Sequence, residues 1–232
     1  MSELLDLIRE RRSLRAPFDP ARAVAPEALT AVLEAARWAP TAHNMQNYEI
    51  VVVDDPAVLA AIARVDRQIS ETFVRENYAQ LSFSEDELRR KKTGILGTMF
   101  PAAWRTPDFR LDQFDDDELA SMRRPLPAAP VMLVVVYDPS RRAPASEGDF
   151  LGIVSLGCVM ENMWLAATSV GLGMHIVSSL SSGDEVKAIL GIPERLVVAF
   201  SCRLGYPATE PGPYLRVRRD IEDFAHHDRY AG

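Results

Sequence analysis

Phe150-Leu-Gly-Ile-Val-Ser-Leu-Gly-Cys-Val-Met-Glu-Asn-Met-Trp-Leu-Ala-Ala-Thr-Ser-Val-Gly-Leu-Gly-Met-His-Ile-Val-Ser-Ser179 is the stretch on which the reading of this chain turns. It is apolar on nearly every side up to Val170, breaks at Gly171-Leu172-Gly173, and resumes as a short strand over Met174–Val177. A helix apolar all round either spans a membrane or lies at the centre of a large core. Glu161 and Asn162 stand together at its middle, where lipid would penalise them heavily. Gly152, Gly157, Cys158 and Ala166-Ala167 offer small surfaces that let another helix approach. The reading is a buried, subunit-bridging core helix, with no membrane role.

The flanking sequence supplies strands for that helix to pack on. Val131–Tyr137 is a continuous apolar run and reads as a central strand. Leu196–Leu204 reads as another core strand, turned outward by Gly205-Tyr206-Pro207. Between strand and helix, Asp138–Gly148 is a polar loop. Ser182-Gly183-Asp184-Glu185 has capping-box spacing and opens a helix that ends at Gly191. Upstream, Glu49–Val53 is rich in β-branched residues and reads as a buried strand. Helices are expected over Glu3–Glu10 with Ser2 as cap, over Glu27–Trp38 with Pro26 in the first turn, and over Ala57–Arg64, Arg67–Gln80 and Glu85–Gly97. Residues 99–129 are rich in proline, aromatics and acid. So long an irregular stretch reads as a lid over a site or as a surface excursion.

The totals narrow the function. A 232-residue chain with 47% hydrophobic residues can fill a sizeable core, here taken as one domain over 1–232. Its net charge of −7 argues against a general nucleic-acid or lipid-surface binder. Met1–Arg12 is charged and amphipathic and does not read as a signal peptide. Cys158 and Cys202 sit in apolar runs as small core residues, and the expected setting is the reducing cytoplasm. The histidines lack metal-ligand spacing, so no metal site is expected. Gly171-Leu172-Gly173 follows a helix rather than joining a strand to one, so it is no dinucleotide fingerprint.

Two polar stretches carry candidate chemistry. Arg11-Arg12-Ser13-Leu14-Arg15 places three guanidinium groups around a hydroxyl, which makes either an anion cradle or a solvated helix end. Thr41-Ala42-His43-Asn44-Met45-Gln46 offers amide edges that suit a heterocycle, or else a hydrogen-bonded turn. A second basic cluster, Arg216, Arg218 and Arg219, lies near the other end. The two clusters either meet on one phosphate or are unrelated patches.

Arg11-Arg12-Ser13-x-Arg15, Ala39-Pro40-Thr41-Ala42-x-Asn44-x-Gln46, Glu161-Asn162-x-x-Leu165-Ala166-Ala167-x-x-x-Gly171-Leu172-Gly173, Leu190-Gly191-Ile192-Pro193 and Gly205-Tyr206-Pro207 together resemble the flavin-dependent nitroreductase family, in its usual order. Arg218–His226 also resembles that family's basic C-terminal segment. Thr41 and Asn47-Tyr48 depart from the usual Ser and Pro-Trp.

The resemblance implies an α+β nitroreductase-like fold: a central mixed, mostly antiparallel sheet wrapped by helices, with a lid insertion at roughly 67–129. It implies a homodimer with FMN bound between subunits. Arg11 and Ser13 would hold the phosphate or ribityl end, Arg12 counts among the cofactor-binding residues, and Arg15 would reach the pyrimidine edge. Two of Arg216, Arg218 and Arg219 would complete the phosphate clamp. Thr41, Ala42, His43 and Asn44 would come from the partner subunit. Ser155 falls near the flavin, and Ser178 and Ser179 would present backbone N–H groups to it. Tyr78, Trp104 and Arg105 are lid candidates for substrate contact, in a region that also holds Glu76, Lys91 and Lys92. The implied activity is a ping-pong oxidoreductase that takes hydride from NADH or NADPH and reduces nitroaromatic, quinone or similar small-molecule acceptors. No side chain is assigned as an obligatory acid or base. The alternatives are a lid-specialised reductive dehalogenase or flavin-fragmenting enzyme, and a non-enzymatic flavin carrier.

Overall fold

The computed structural model describes residues 2–65, 72, 82–97, 110, 112, 114–115, 128–144, 146–177, 184–210 and 215–230. In chain order the elements are α1 (Glu3–Glu10), α2 (Pro26–Arg37), a 3-10 turn (Ala42–Asn44), β1 (Tyr48–Val53), α3 (Pro56–Ala63), β2 (Ser82–Phe83), α4 (Glu85–Lys91), β3 (Ile95–Leu96), β4 (Val131–Tyr137), α5 (Phe150–Ser169), β5 (Gly173–Val177), α6 (Asp184–Leu190), β6 (Val197–Gly205) and a second 3-10 turn (Ile221–Asp223). Apart from residue 72, the expected helix over Arg67–Gln80 lies outside the described residues, as does the Ser182-Gly183 half of a capping box. The chain divides into two compact units: Met1–Arg67 with Pro125–Pro211, and Gln68–Arg124 with Gly212–Gly232.

The first unit is built on a four-stranded sheet in the order β1-β4-β6-β5, with every neighbouring pair antiparallel. A parallel bridge from Ser13 to Met174 makes it mixed. β4 is buried along its whole length because helices cover both of its faces. Val131, Leu133, Val135 and Tyr137 pack with α2 and α5, while Met132, Val134 and Val136 pack with α3 and α6. Period-two alternation puts successive side chains into opposite cores, so an antiparallel strand reads as a continuous apolar run.

β1 lies at the sheet edge, and only Val53 along it is fully buried. The expected buried strand is therefore a half-covered one. Its Val-rich composition reflects pleat preference and not position in the sheet.

α5 fills the expected stretch but presents two faces. Leu156, Val159, Met163, Trp164 and Ala167 are buried, while Phe150, Ile153 and Val154 are 66%, 51% and 49% exposed. Among the described residues it is the one helix long and apolar enough to cross a membrane. Its mid-span polar groups have protein partners: Glu161 accepts from Arg11, and Asn162 donates to the Ala35 carbonyl. It ends in a Schellman motif. Leu172 N–H reaches the Ala167 carbonyl at 2.8 Å, Gly171 N–H reaches the Thr168 carbonyl at 3.1 Å, and Gly171 takes the left-handed conformation at φ +74°.

At the other end of α5, the Tyr137 hydroxyl donates to Asp149 Oδ2 at 2.7 Å. Burial first, then this bond and the Asp149 charge, push the phenol from its usual 10 up to about 12. Folding thus favours the protonated phenol. The stability it lends is whole below pH 10 and is lost as pH rises through about 12. Asp149→Asn should bring Tyr137 part of the way back, because burial remains. Tyrosinate absorbance of parent and variant through the alkaline range measures this, and superimposable curves would contradict it.

In the second unit α4 is shorter than the expected Glu85–Gly97. Ser84 and Glu87 form the anticipated capping box. The helix stops at Lys92, which adopts φ +55°, and Gly94 at φ +91° turns the chain into β3, which pairs in parallel with β2.

Candidate functional site

The arginine segment leaves α1 as an extended strand held from two sides. Leu14 N–H donates to the Met174 carbonyl at 2.9 Å, within the Ser13–Met174 bridge. Trp164 Nε1 donates to the Arg12 carbonyl at 3.1 Å. Arg11 is tied down beside it: its Nε donates to Glu161 Oε1 at 3.2 Å, and its guanidinium carbon lies 4.7 Å from the Trp164 ring centroid. Glu161 and Trp164 are three apart on α5 and so share a face. The half-exposed ion pair and the cation–π contact each contribute on the order of 0.5–1 kcal/mol.

Leu14, 2% exposed, plugs into the first unit's core against Gly173. Around it Arg12 and Arg15 are exposed and Ser13 is partly covered. Both arginines thus flank a hydroxyl on a backbone that cannot drift. That donor set suits an anionic or imide-bearing ligand.

The second polar stretch folds back on itself. Ala42 N–H donates to Ser155 Oγ at 3.0 Å, and that hydroxyl donates to the Leu151 carbonyl at 2.7 Å. Ser155 is 5% exposed, so it supports the loop from beneath. Gln46 N–H donates to Thr41 Oγ1 at 3.1 Å, and Gln46 Nε2 donates to Asn44 Oδ1 at 3.0 Å. His43, Asn44 and Gln46 sit at φ +51°, +53° and +44°. Three left-handed residues that are not glycine cost on the order of 3 kcal/mol or more together. The surrounding bonds hold that strain and leave the His43 and Asn44 side chains exposed.

A pair that local sequence reading missed lies on the opposite sheet face. Arg203, 3% exposed, bonds His175 Nδ1 across the β5–β6 register and lies 5.3 Å from the Phe18 ring centroid. A guanidinium only donates, so in this contact Nδ1 is the acceptor. In sequence both residues are isolated; only the strand register brings them together.

The terminal basic clusters fall in different units. In the second, Arg216, Arg218 and Arg219 are exposed. Arg218 Nη1 donates to the Val217 carbonyl at 2.7 Å, and Arg219 lies 5.6 Å from the Phe224 ring centroid. Ser178, Ser179, Tyr78, Trp104, Arg105 and Glu76 lie outside the described residues. Among the described residues no group of three or more His, Cys, Asp or Glu could hold a metal ion.

A family model described as the Nitroreductase family matches residues 8–206. The chain belongs to the nitroreductase family. That match runs from α1 to the turn after β6 and takes in both polar stretches of the first unit. A curated relative, the NADPH-dependent oxidoreductase of Staphylococcus haemolyticus, is 25% identical over 226 residues, which are 97% of this chain and 73% of that protein. The NADPH-flavin oxidoreductase of Vibrio harveyi is 32% identical over 94 residues, 40% of this chain and 38% of the relative. Among solved structures, an iodotyrosine deiodinase bound to FMN and 3-iodo-L-tyrosine superposes with a TM-score of 0.64 at 22% identity, covering 98% of this chain and 100% of that one. A nitroreductase with bound FMN from Bacteroides fragilis superposes at 0.54 with 23% identity, covering 93% and 96%. At such identities the superpositions establish the nitroreductase fold.

Proposed function

We propose that this nitroreductase-family protein is an FMN-dependent oxidoreductase that draws reducing equivalents from NADH or NADPH and passes them to nitroaromatic, quinone or similar acceptors. The observation that carries the reading is the pinned Arg12-Ser13-Leu14-Arg15 strand within a family match spanning residues 8–206. Bound FMN supplies the hydride relay between donor and acceptor. The chain's own groups bind and orient it. Arg12 and Ser13 suit the phosphate and ribityl end, and Arg15 suits the pyrimidine edge, where a fixed cation stabilises negative charge. Arg11, already engaged with Glu161 and Trp164, holds the strand and keeps its terminal nitrogens for an anion. Thr41–Asn44 offer a rigid polar edge. Arg218 and Arg219 are the C-terminal candidates for the phosphate.

The same reading includes a homodimer. The exposed Phe150, Ile153 and Val154 of α5 and Leu4, Leu5 and Ile8 of α1 support it, since apolar faces of that kind are commonly covered by a partner. It also includes a reducing, cytoplasmic setting, supported by the free thiols of Cys158 and Cys202.

Anaerobic addition of NADH or NADPH to the purified protein should bleach the flavin absorbance, and an acceptor should restore it. Flavin colour that survives both nicotinamides would defeat the oxidoreductase reading and favour a flavin carrier. Turnover confined to halophenols would favour the dehalogenase alternative, for which the superposed deiodinase fold is a reason to screen.

A further inference from the structure

Within the second unit, no residue from Arg218 to Tyr230 is buried. The apolar side chains of this tail, Ile221 and Phe224, are 68% and 53% exposed. A segment that buries no side chain gains little from the hydrophobic effect, so its place depends on polar contacts. Two of those reach Lys92, 128 and 131 residues earlier in the chain. Lys92 Nζ bonds the Asp220 carboxylate and lies 3.2 Å from Asp223 Oδ2. The same Asp223 oxygen accepts from Asp220 N–H at 2.9 Å and closes the 3-10 turn on itself. One ammonium thus grips a preformed turn and not a loose chain.

Charge sets the character of this grip. The bonds to Asp220 and then Asp223 raise the Lys92 ammonium above its usual range. The Asp220 N–H first, and Lys92 next, hold the Asp223 carboxyl below its own. Both partners are therefore charged at neutral pH. The turn carries Asp220, Glu222 and Asp223 against Arg218, Arg219 and Lys92, so its charges balance only while Lys92 is engaged. Ion pairs as open to solvent as these are individually weak and are screened by salt. A weak ionic grip on a segment without core packing can be undone without unfolding the rest. The turn also carries part of a cavity: Lys92, Thr93 and Gly94 after α4, with Arg218, Arg219 and Phe224 of the tail, line a space of about 630 Å3.

We propose that Lys92 is a charge latch: by binding Asp220 and Asp223 it holds the tail as a strap over that cavity, and the strap lifts when the Lys92 charge is screened or removed. The latch needs no ligand, so it stands apart from the flavin reading.

Trypsin cleavage after Arg218 and Arg219 tests this, because a protease requires the chain around the bond to be extended and free of its contacts. The rate is followed by mass spectrometry on the intact protein and compared with the same bonds in a free peptide of residues 215–230. Relative to that peptide, the parent should be cut about three- to tenfold more slowly in about 0.01 M salt than in about 1 M. Lys92→Met should be cut in low salt as fast as the parent in high salt, and its rate should no longer respond to salt. Lys92→Arg keeps the charge and should return to within about twofold of the parent. Neither replacement suits the left-handed backbone at position 92 better than lysine does, so the pair isolates the side-chain charge. Parent rates that ignore salt, Lys92→Met cut like the parent, or acceleration spread over the whole chain would each overturn the latch.

Discussion

Gly173→Ala should melt several degrees below the parent and bind FMN more weakly, although it adds a single methyl group. A Cβ built at Gly173 falls 2.2 Å from Leu14 Cδ2 and 3.0 Å from both Leu14 Cβ and Cγ. Swinging the tip of Leu14 aside does not solve this, because its stem is also too close and the residue is 2% exposed. Either the strand bearing Leu14 shifts or β5 does. Both movements strain the bond from Leu14 N–H to the Met174 carbonyl and the Ser13–Met174 bridge. Overpacking of this kind costs about 1–3 kcal/mol, and in a protein of this size each kcal/mol is worth about 2–4 °C. Because Arg12, Ser13 and Arg15 ride on the displaced strand, flavin affinity should fall along with stability.

Gly171→Ala is the control. Its added Cβ meets nothing within 4 Å, so only the left-handed φ of +74° is penalised. It should destabilise by about 1 kcal/mol and leave FMN affinity unchanged. Pairing Gly173→Ala with Leu14→Ala should cost less than the sum of the two, because the contact they share is gone. Melting curves and FMN titrations of the four variants decide the matter. A Gly173→Ala protein with the parent's melting point and affinity would show that the strand is not held as described.

What the sequence made legible follows from which forces act locally. The extent of α5, its stop at Gly171 and the burial of Val131–Tyr137 are written in apolar runs and in a glycine cap. The arginine and amide stretches were visible as polar islands beside those runs. Position within the sheet was legible for one of two similar runs: Val131–Tyr137 reads as central and is, whereas Tyr48–Val53, equally rich in valine, reads as buried and lies at the edge. The end of α4 was misplaced for a related reason. Helical pattern runs on past Lys91, and Lys92 leaves it with a residue type that does not advertise a left-handed backbone. The groups that support the candidate sites were also hidden. Arg11 and Glu161 are 150 residues apart, Ala42 and Ser155 are 113 apart, and His175 meets Arg203 only through strand register. Charge and amide content show which residues can bind a ligand, but long-range contacts decide which of them are free to do so. Arg11 is the clearest instance: the sequence offers it as an equal of Arg12 and Arg15, while Glu161 and Trp164 make it the strand's anchor.

Ser155→Ala should separate support from contact at the second polar stretch. The hydroxyl accepts from Ala42 N–H at 3.0 Å and is buried under the loop, so alanine leaves that donor without its partner. Ala42 is only partly covered and water can reach it, which sets the stability cost near the lower end of the usual range, about 1 kcal/mol. The effect on the loop should be larger than that figure suggests. His43, Asn44 and Gln46 occupy left-handed conformations that persist only while neighbouring bonds hold them, and the Ala42 bond is the loop's hydrogen bond to α5 among the described residues. Once it is lost, the loop can relax toward ordinary turn geometry, and the exposed edge of His43 and Asn44 loses its fixed presentation. FMN affinity should therefore fall by about tenfold or more while the melting point moves only a few degrees. His43→Gly should do the reverse. It relieves one left-handed residue without touching the Ser155 bond, so it should hold or raise the melting point; its FMN affinity then reports the His43 side chain alone. If Ser155→Ala keeps the parent's affinity, the strained loop does not contribute to flavin binding.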